Sequence, residues 1–142
     1  MTPPVFVIAG SDLLVFESMD VAANYMEAID VRDGEHQGAF DADGRRLEIV
    51  AESDCSSARI FEPPDAADGS GRLEDAVRQD LRRLIGIGPD VLAAIHVELD
   101  GWRLPQLVEA RLAIERSWEE RRRRAWWRRV GRWLRRNGSH ST

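Results

Sequence analysis

The sequence predicts an α+β fold, because strand-like segments come first, helical segments follow, and the two kinds do not alternate. Residues 1–64 contain short apolar runs rich in β-branched and aromatic residues, separated by turn residues. From residue 73 onward, apolar residues recur instead at helical spacing. We therefore expect an antiparallel sheet of roughly three to five strands with one early helix, followed by a helical half that ends in a long amphipathic helix.

Two apolar runs come first, VFVIA (Val5–Ala9) and LLVFE (residues 13–17), and the Gly-Ser-Asp between them has a turn composition, so we expect one or both runs to be strands. Ser18 follows, and its hydroxyl can accept a hydrogen bond at the start of a helix. The segment behind it predicts a short helix. The apolar stripe expected on this helix is Val21, Ala22, Tyr25 and Met26.

A hairpin is expected next. Asp43-Gly44 indicates its tight turn, because glycine accepts the positive φ that such turns demand. After the turn, Leu47 and Ile49 alternate with charged residues, which is typical of a strand with one buried and one exposed face. The run ARIFE at residues 58–62 predicts a further strand, which two prolines end.

Small and polar residues dominate DAADGSGR at residues 65–72, which predicts a flexible loop and the main seam of the chain. The segments beyond it predict three helices, one that ends near Gly86, a second over residues 91–99 and a third that begins near Pro105. The expected organisation is a β-rich subdomain with one helix (1–64), the flexible loop (65–72), a helical part that packs on the sheet (73–118), and a cationic amphipathic helix with a frayed end (119–142).

The net charge of −5 conceals two oppositely charged parts of the chain. Residues 1–110 contain 22 Asp and Glu against 9 Arg, a balance of −13, whereas residues 111–142 contain 11 Arg against 3 Glu, a balance of +8. Such a division predicts contact with charged macromolecules. The basic part can bind an anionic partner or the acidic body itself, and the acidic body can bind a basic partner.

The segment AWWRRVGRWLRR at residues 125–136 separates apolar from basic residues when successive positions are placed about 100° apart on a helix. One arc of about 120° contains Trp126, Trp127, Val130, Trp133 and Leu134. The opposing arc contains Arg128, Arg129, Arg132, Arg135 and Arg136. The pattern predicts an amphipathic helix. Its expected interaction face comprises Trp126, Trp127, Val130, Trp133, Leu134, Arg128, Arg129 and Arg132.

The same arc does not continue upstream. There, a different face of the helix contains Leu107, Ala110, Ile114 and Trp118. We therefore expect residues 104–118 to pack on the body and residues 126–134 to pack on something oriented differently. The candidates are a protein partner, a second copy of the chain, an anionic membrane surface and, less favoured, nucleic acid; a disordered basic tail is the remaining alternative.

LIGIGPDVLAAI at residues 84–95 resembles the helix-hairpin-helix element of DNA-binding proteins. In that family, a glycine hairpin, matched here by Gly86 and Gly88, directs backbone N–H groups at a phosphate. Asp90 departs from the pattern, because a carboxylate repels a phosphate. The alternative is that Gly86 and Gly88 end one helix while Pro89 begins the next.

No catalytic constellation is found. His36, His96 and His140 lie far apart in the sequence, and none is spaced from another His or from Cys55 as a metal ligand would be. The acidic residue beside Cys55 disfavours the thiolate that a nucleophile needs. We therefore expect a non-enzymatic protein with no catalytic residue, no metal site and no cofactor.

The chain has a single cysteine, no apparent secretory signal and no apolar window of about 20 residues that would span a bilayer. These features predict a cytoplasmic protein. Association with the inner face of the membrane through the basic helix stays open.

The segment DLLVFESMDVAANYMEAIDVRDGEHQGAFDADGRRLEI at residues 12–49 is similar to a group of small bacterial proteins associated with polymorphic and contact-dependent toxins. The likeness covers about the N-terminal third of the chain and does not include the basic helix. It implies an α+β fold and, less strongly, the role of an immunity protein that neutralises a partner toxin by occlusion. The motifs that carry it are Phe16-Glu17-Ser18, Asn24-Tyr25-Met26-Glu27, Ala28-Ile29-Asp30-Val31, Asp33-Gly34-Glu35 and Asp41-Ala42-Asp43-Gly44-Arg45.

An immunity role makes an acidic binding surface the leading hypothesis, because many nuclease toxins present a basic cleft that carboxylates can cover. The alternative functions are a peripheral membrane protein that docks through its Arg/Trp helix, and a nucleic-acid-binding protein that uses LIGIGPDVLAAI and the basic tail. The alternative is that these acidic residues are charged turns of a hydrophilic hairpin. The carboxylates expected to contact a protein partner are Asp30, Asp33, Glu35, Asp41 and Asp43.

Overall fold

The computed structural model describes residues 1–26, 31, 34, 36–52, 57–85 and 99–137. These residues form a five-stranded antiparallel sheet and three helices, which confirms the α+β class. The strands are β1 (Val5–Ala9), β2 (Asp12–Phe16), β3 (His36–Phe40), β4 (Arg46–Ala51) and β5 (Ala58–Phe61). The helices are α1 (Met19–Tyr25), α2 (Ser70–Ile85) and α3 (Leu104–Asn137), and a 3-10 turn covers Leu99–Gly101.

The structure divides into two compact units, Met1–Val108 and Glu109–Thr142. The boundary falls within α3 and not at residues 65–72, where the sequence places the main seam. Most of LIGIGPDVLAAI and of the helix expected over residues 91–99 lies outside the described residues. The third expected helix is confirmed, since α3 begins at Leu104, beside Pro105.

The sheet of the first unit has the strand order β2-β1-β3-β4-β5. β1 pairs with both β2 and β3, and the register sets Phe6 opposite Phe40. Val5, Phe6 and Val7 are all fully buried, so both faces of β1 are covered. An uninterrupted apolar run such as VFVIA is what a strand covered on both faces requires.

Helix α1 begins where the sequence predicts, because the Ser18 hydroxyl accepts a hydrogen bond from the Val21 N–H at 3.2 Å. Only half of the apolar stripe expected on this helix is buried. Ala22 is buried in the core together with Met26, whereas Val21 is 39% exposed and Tyr25 is 63% exposed. The Tyr25 ring lies at the surface, 5.3 Å from the ring of Phe16.

The turn between β3 and β4 is the one that Asp43-Gly44 predicts, with Gly44 at φ +85°. A side chain at Gly44 would also bring a Cβ to 2.4 Å from the Cα of Ser70, the first residue of α2. Glycine is therefore required at this position for two reasons, the backbone conformation and the close approach of a second segment.

The loop expected over residues 65–72 is instead joined to this hairpin. The Gly69 N–H donates to the Gly44 carbonyl at 2.8 Å, and the Arg46 N–H donates to the Ala67 carbonyl at 3.0 Å. α2 already begins at Ser70, whose N–H donates to the Asp68 carboxylate at 2.9 Å. Small residues permit this pairing, and their composition alone does not distinguish it from a flexible loop.

The start of α3 is held by two charged residues of α2, Glu74 and Arg78, which we call the Glu74–Arg78 clamp. The Arg78 guanidinium donates to the carbonyls of Leu99 and Trp102 at 3.0 and 2.9 Å, and to Glu74 at 3.0 Å. Glu74 in turn accepts the N–H of Leu104 at 3.2 Å. The clamp thereby satisfies backbone groups that a turn and a helix N-terminus leave without partners.

The clamp predicts a specific loss of stability in acid. The pKa of Glu74 lies below its usual value of 4.5, chiefly because Arg78 donates a hydrogen bond to the carboxylate. A depressed pKa contributes stability above the unfolded-state pKa, and this contribution disappears as the pH falls through the folded-state pKa. We expect Glu74→Gln to cost about 1–2 kcal/mol at neutral pH and to make the free energy of unfolding less dependent on pH below the usual glutamate pKa.

Chemical denaturation of the wild type and of Glu74→Gln across an acidic pH series measures this effect. Asp75→Asn is the matched control, because Asp75 also pairs with Arg78 but is 83% exposed. Parallel loss of stability in the wild type and Glu74→Gln would contradict the role of the clamp.

Candidate interaction site

Among the described residues, no group of three or more His, Cys, Asp or Glu side chains is arranged to hold a metal ion. His36 is the first residue of β3. Cys55, His96 and His140 lie outside the described residues. The sequence predicts two candidate interaction surfaces, and the structure describes part of each.

The first is the acidic surface, and the structure corrects it at Asp41. Asp41 is fully buried, and its carboxylate accepts the N–H groups of Thr2, Asp43 and Arg45 at 3.1, 3.0 and 2.9 Å. A carboxylate that closes a turn in this way has no surface to offer a partner. Its role is to hold the hairpin and the N-terminal segment together.

Asp43 does lie at the surface, where it accepts a hydrogen bond from the Thr2 hydroxyl at 2.5 Å. Asp30, Asp33 and Glu35 lie outside the described residues. Of these five carboxylates, the structure describes two, and it thus locates Asp43 at the surface and Asp41 in the core.

The second candidate is the Arg/Trp segment, which is helical as predicted and continuous with the rest of α3. We call the arc of Trp126, Trp127, Val130 and Leu134, with position 133, the tryptophan face. Trp126, Trp127 and Leu134 are 56%, 60% and 56% exposed, and Val130 is half-buried. Trp133 lies in α3, but its side chain is not among the described ones.

The two exposed indoles form a compact pair, with ring centroids 4.8 Å apart and an interplanar angle of 74°. This edge-to-face arrangement is favourable for aromatic rings. The opposing arc, the arginine face, is also exposed in its described members. They are Arg128, Arg129, Arg132, Arg135 and Arg136.

The buried part of α3 ends before residue 119. Ile114 is 2% exposed, and Arg111 is 4% exposed with its guanidinium 2.8 Å from Glu115 and 5.4 Å from the Trp118 ring centre. From residue 119 to residue 129, every side chain is exposed. Pairs such as Arg124 and Glu120, 2.6 Å apart one turn away, support the helix over this stretch.

Two surfaces of the first unit are not anticipated by the sequence. One is formed by the exposed ring of Tyr25 beside the half-buried ring of Phe16, where helical spacing alone assigns Tyr25 to the core. The other is an open groove of about 660 Å³ beside the Glu74–Arg78 clamp. Its lining mixes both signs of charge, with Arg82 paired to Asp100 across it.

Comparison with protein-family models, with curated proteins and with solved structures found no match to this chain. In the parts of the chain that the structure describes, none of the helices combines the length and the apolar character that crossing a bilayer requires. The candidate site therefore has to be interpreted from its own residues.

Asp41 and Asp43 give a matched pair of substitutions in one turn. Asp41→Ala removes a buried acceptor from three N–H groups, so we expect it to lower the free energy of unfolding by about 2–4 kcal/mol. Asp43→Ala removes one exposed contact, so we expect about 0.5 kcal/mol or less. Denaturant unfolding of both variants measures the difference, and equal effects would contradict the structural role of Asp41.

Proposed function

We propose that this chain acts by binding an anionic macromolecular partner, without catalysing a reaction, and that the two faces of α3 are its contact surface. The observation that carries the proposal is the exposure of Trp126, Trp127 and Leu134 on one arc of a helix whose other arc is arginine. Adjacent exposed apolar side chains rimmed by charge are typical of interaction surfaces.

The magnitudes indicate that both faces are needed. If each exposed indole buried about 150 Å² at about 25 cal/mol per Å², the two together would contribute roughly 7 kcal/mol. Association costs on the order of 4–15 kcal/mol before any net affinity remains. The tryptophans alone therefore give weak binding, and the attraction between the arginine face and an anionic partner has to supply the rest.

The helix also lowers the cost of binding. Its backbone is already ordered, and Trp126 and Trp127 pack on each other in the free chain. Side chains that are ordered before contact lose less conformational entropy on contact. A micromolar dissociation constant, which corresponds to about −8 kcal/mol, is within reach of such a surface.

The resemblance of residues 12–49 adds a biological role to this proposal, that of an immunity protein that occludes a toxin. The acidic balance of residues 1–110 supports it, because a carboxylate-rich body is attracted to a basic cleft. Such a protein binds its toxin through the first unit, while α3 contacts an anionic partner. This role requires in addition that the chain relieve the toxicity of its partner, which co-expression of the two proteins measures.

A panel of anionic partners tests the proposed function. The full chain is titrated with vesicles of anionic phospholipid, a single-stranded RNA and polyglutamate, and neutral vesicles serve as the uncharged control. We expect micromolar binding to at least one anionic partner, weakened about tenfold or more by Trp126→Ala combined with Trp127→Ala.

Tyr25→Ala is the matched control, because Tyr25 is an equally exposed aromatic residue on α1. It is expected to leave the affinity unchanged. The proposal is wrong if no anionic partner binds more tightly than neutral vesicles, or if the tryptophan and tyrosine variants bind alike.

A further inference from the structure

We infer that the partner of α3 is the surface of an anionic lipid bilayer, with residues 126–136 lying in the plane of the headgroups. The inference rests on the proposed function, because it names the class of partner that the tryptophan and arginine faces contact. Three features of α3 favour a lipid surface over a nucleic acid, a protein groove or a second copy of the chain.

The first feature is the separation of the two faces. Proteins that bind single strands stack bases on aromatic rings and contact the phosphates from the same groove. Here the indoles of Trp126 and Trp127 lie on the arc opposite Arg128 and Arg132, so a strand stacked on the indoles does not also run along the centre of the arginine face. A bilayer surface can contact both arcs, since the apolar arc enters the acyl boundary while the polar arc stays among the headgroups.

The second feature is the reach of the flanking arginines. Arg129 and Arg136 border the tryptophan face on one side, about 100° and 120° from its centre, and Arg135 borders it on the other side at about 140°. Long arginine side chains bend towards an interface while their aliphatic stems cover apolar surface. Their guanidinium groups can then contact lipid phosphates when the indoles are inserted.

The third feature is length and composition. Residues 126–136 extend for about 16 Å, half the thickness of a hydrocarbon core of about 30 Å, so this segment is suited to lie on a bilayer. Tryptophan prefers that depth because its ring is apolar and its N–H is polar. A second copy fits less well, because two helices that pair through their tryptophan faces cover the indoles without bringing an anionic surface to the arginine faces.

Substitutions at Gly131 test whether binding requires the tryptophans and arginines to be arranged on a helix or only to be present. Gly131 lies within the Arg/Trp segment, its φ is not positive, and nothing lies within 4 Å of the position that a Cβ would take. Gly131→Ala therefore fits and favours the helix, whereas Gly131→Pro interrupts it. Both variants keep every tryptophan and every arginine.

The experiment is sedimentation of the full chain with phosphatidylglycerol–phosphatidylcholine vesicles, with helix content followed by circular dichroism. We expect Gly131→Ala to bind at least as well as the wild type and Gly131→Pro to bind about tenfold or more less tightly. We also expect tryptophan emission to shift to the blue on binding and to be quenched by lipids brominated near the headgroup.

The contribution of charge to binding is tested with two double substitutions, each of which removes two positive charges. Replacing Arg129 and Arg136, which border the tryptophan face, with Gln is expected to weaken binding about thirtyfold, close to fivefold for each arginine near the surface. Replacing Arg121 and Arg122 with Gln changes the net charge equally, but on the turns before the tryptophan face, and is expected to have a smaller effect.

The outcomes separate the inference from the proposed function. Binding to RNA or polyglutamate that depends on Trp126 and Trp127, without binding to anionic vesicles, overturns the inference and leaves the proposed function standing. Failure to bind any anionic partner overturns both. Equal vesicle binding by Gly131→Ala and Gly131→Pro, or no blue shift, overturns the inference, because adsorption of a basic tail by charge alone would give that result.

Discussion

The direction of the apolar stripe along α3 is the constraint on which the account of this protein depends. Each residue of a helix advances by about 100°, so the buried stripe around Leu107 and Ile114 and the tryptophan face are separated by about two fifths of a turn. A straight helix cannot direct both stripes at one flat surface. The chain buries the first stripe and leaves Trp126 and Trp127 exposed.

The first unit also has to join segments that lie far apart in the sequence. It does so with polar groups that have several partners each. Asp41 accepts two N–H groups of its own turn and the N–H of Thr2, and Arg78 donates to two carbonyls while it also pairs with Glu74. Because each of these side chains binds several polar groups, removing one would leave several groups without hydrogen-bond partners.

Features governed by local chemistry could be predicted from the sequence. The cap at Ser18, the turn at Gly44 and the phase of the tryptophan face all follow from side chains and backbone preferences within a few residues. Contacts with other segments determine the burial of Asp41, the exposure of Tyr25 and the pairing of residues 67–70, and the sequence alone misplaced them. A carboxylate beside a tight turn is as typical of a closed turn as of a binding surface, and only the positions of its N–H partners distinguish the two.

The charge division of the chain and the exposure of α3 together support a protein that works by contact with other macromolecules. The most direct test of this claim is the accessibility of the indoles in the free chain, measured residue by residue by hydroxyl-radical footprinting over a range of protein concentrations. The account predicts that Trp126 and Trp127 are oxidised faster than Trp102 and Trp118 at every concentration, since they are the more exposed. Protection of Trp126 and Trp127 to the level of Trp102 would show that the tryptophan face is already covered, and would contradict the account.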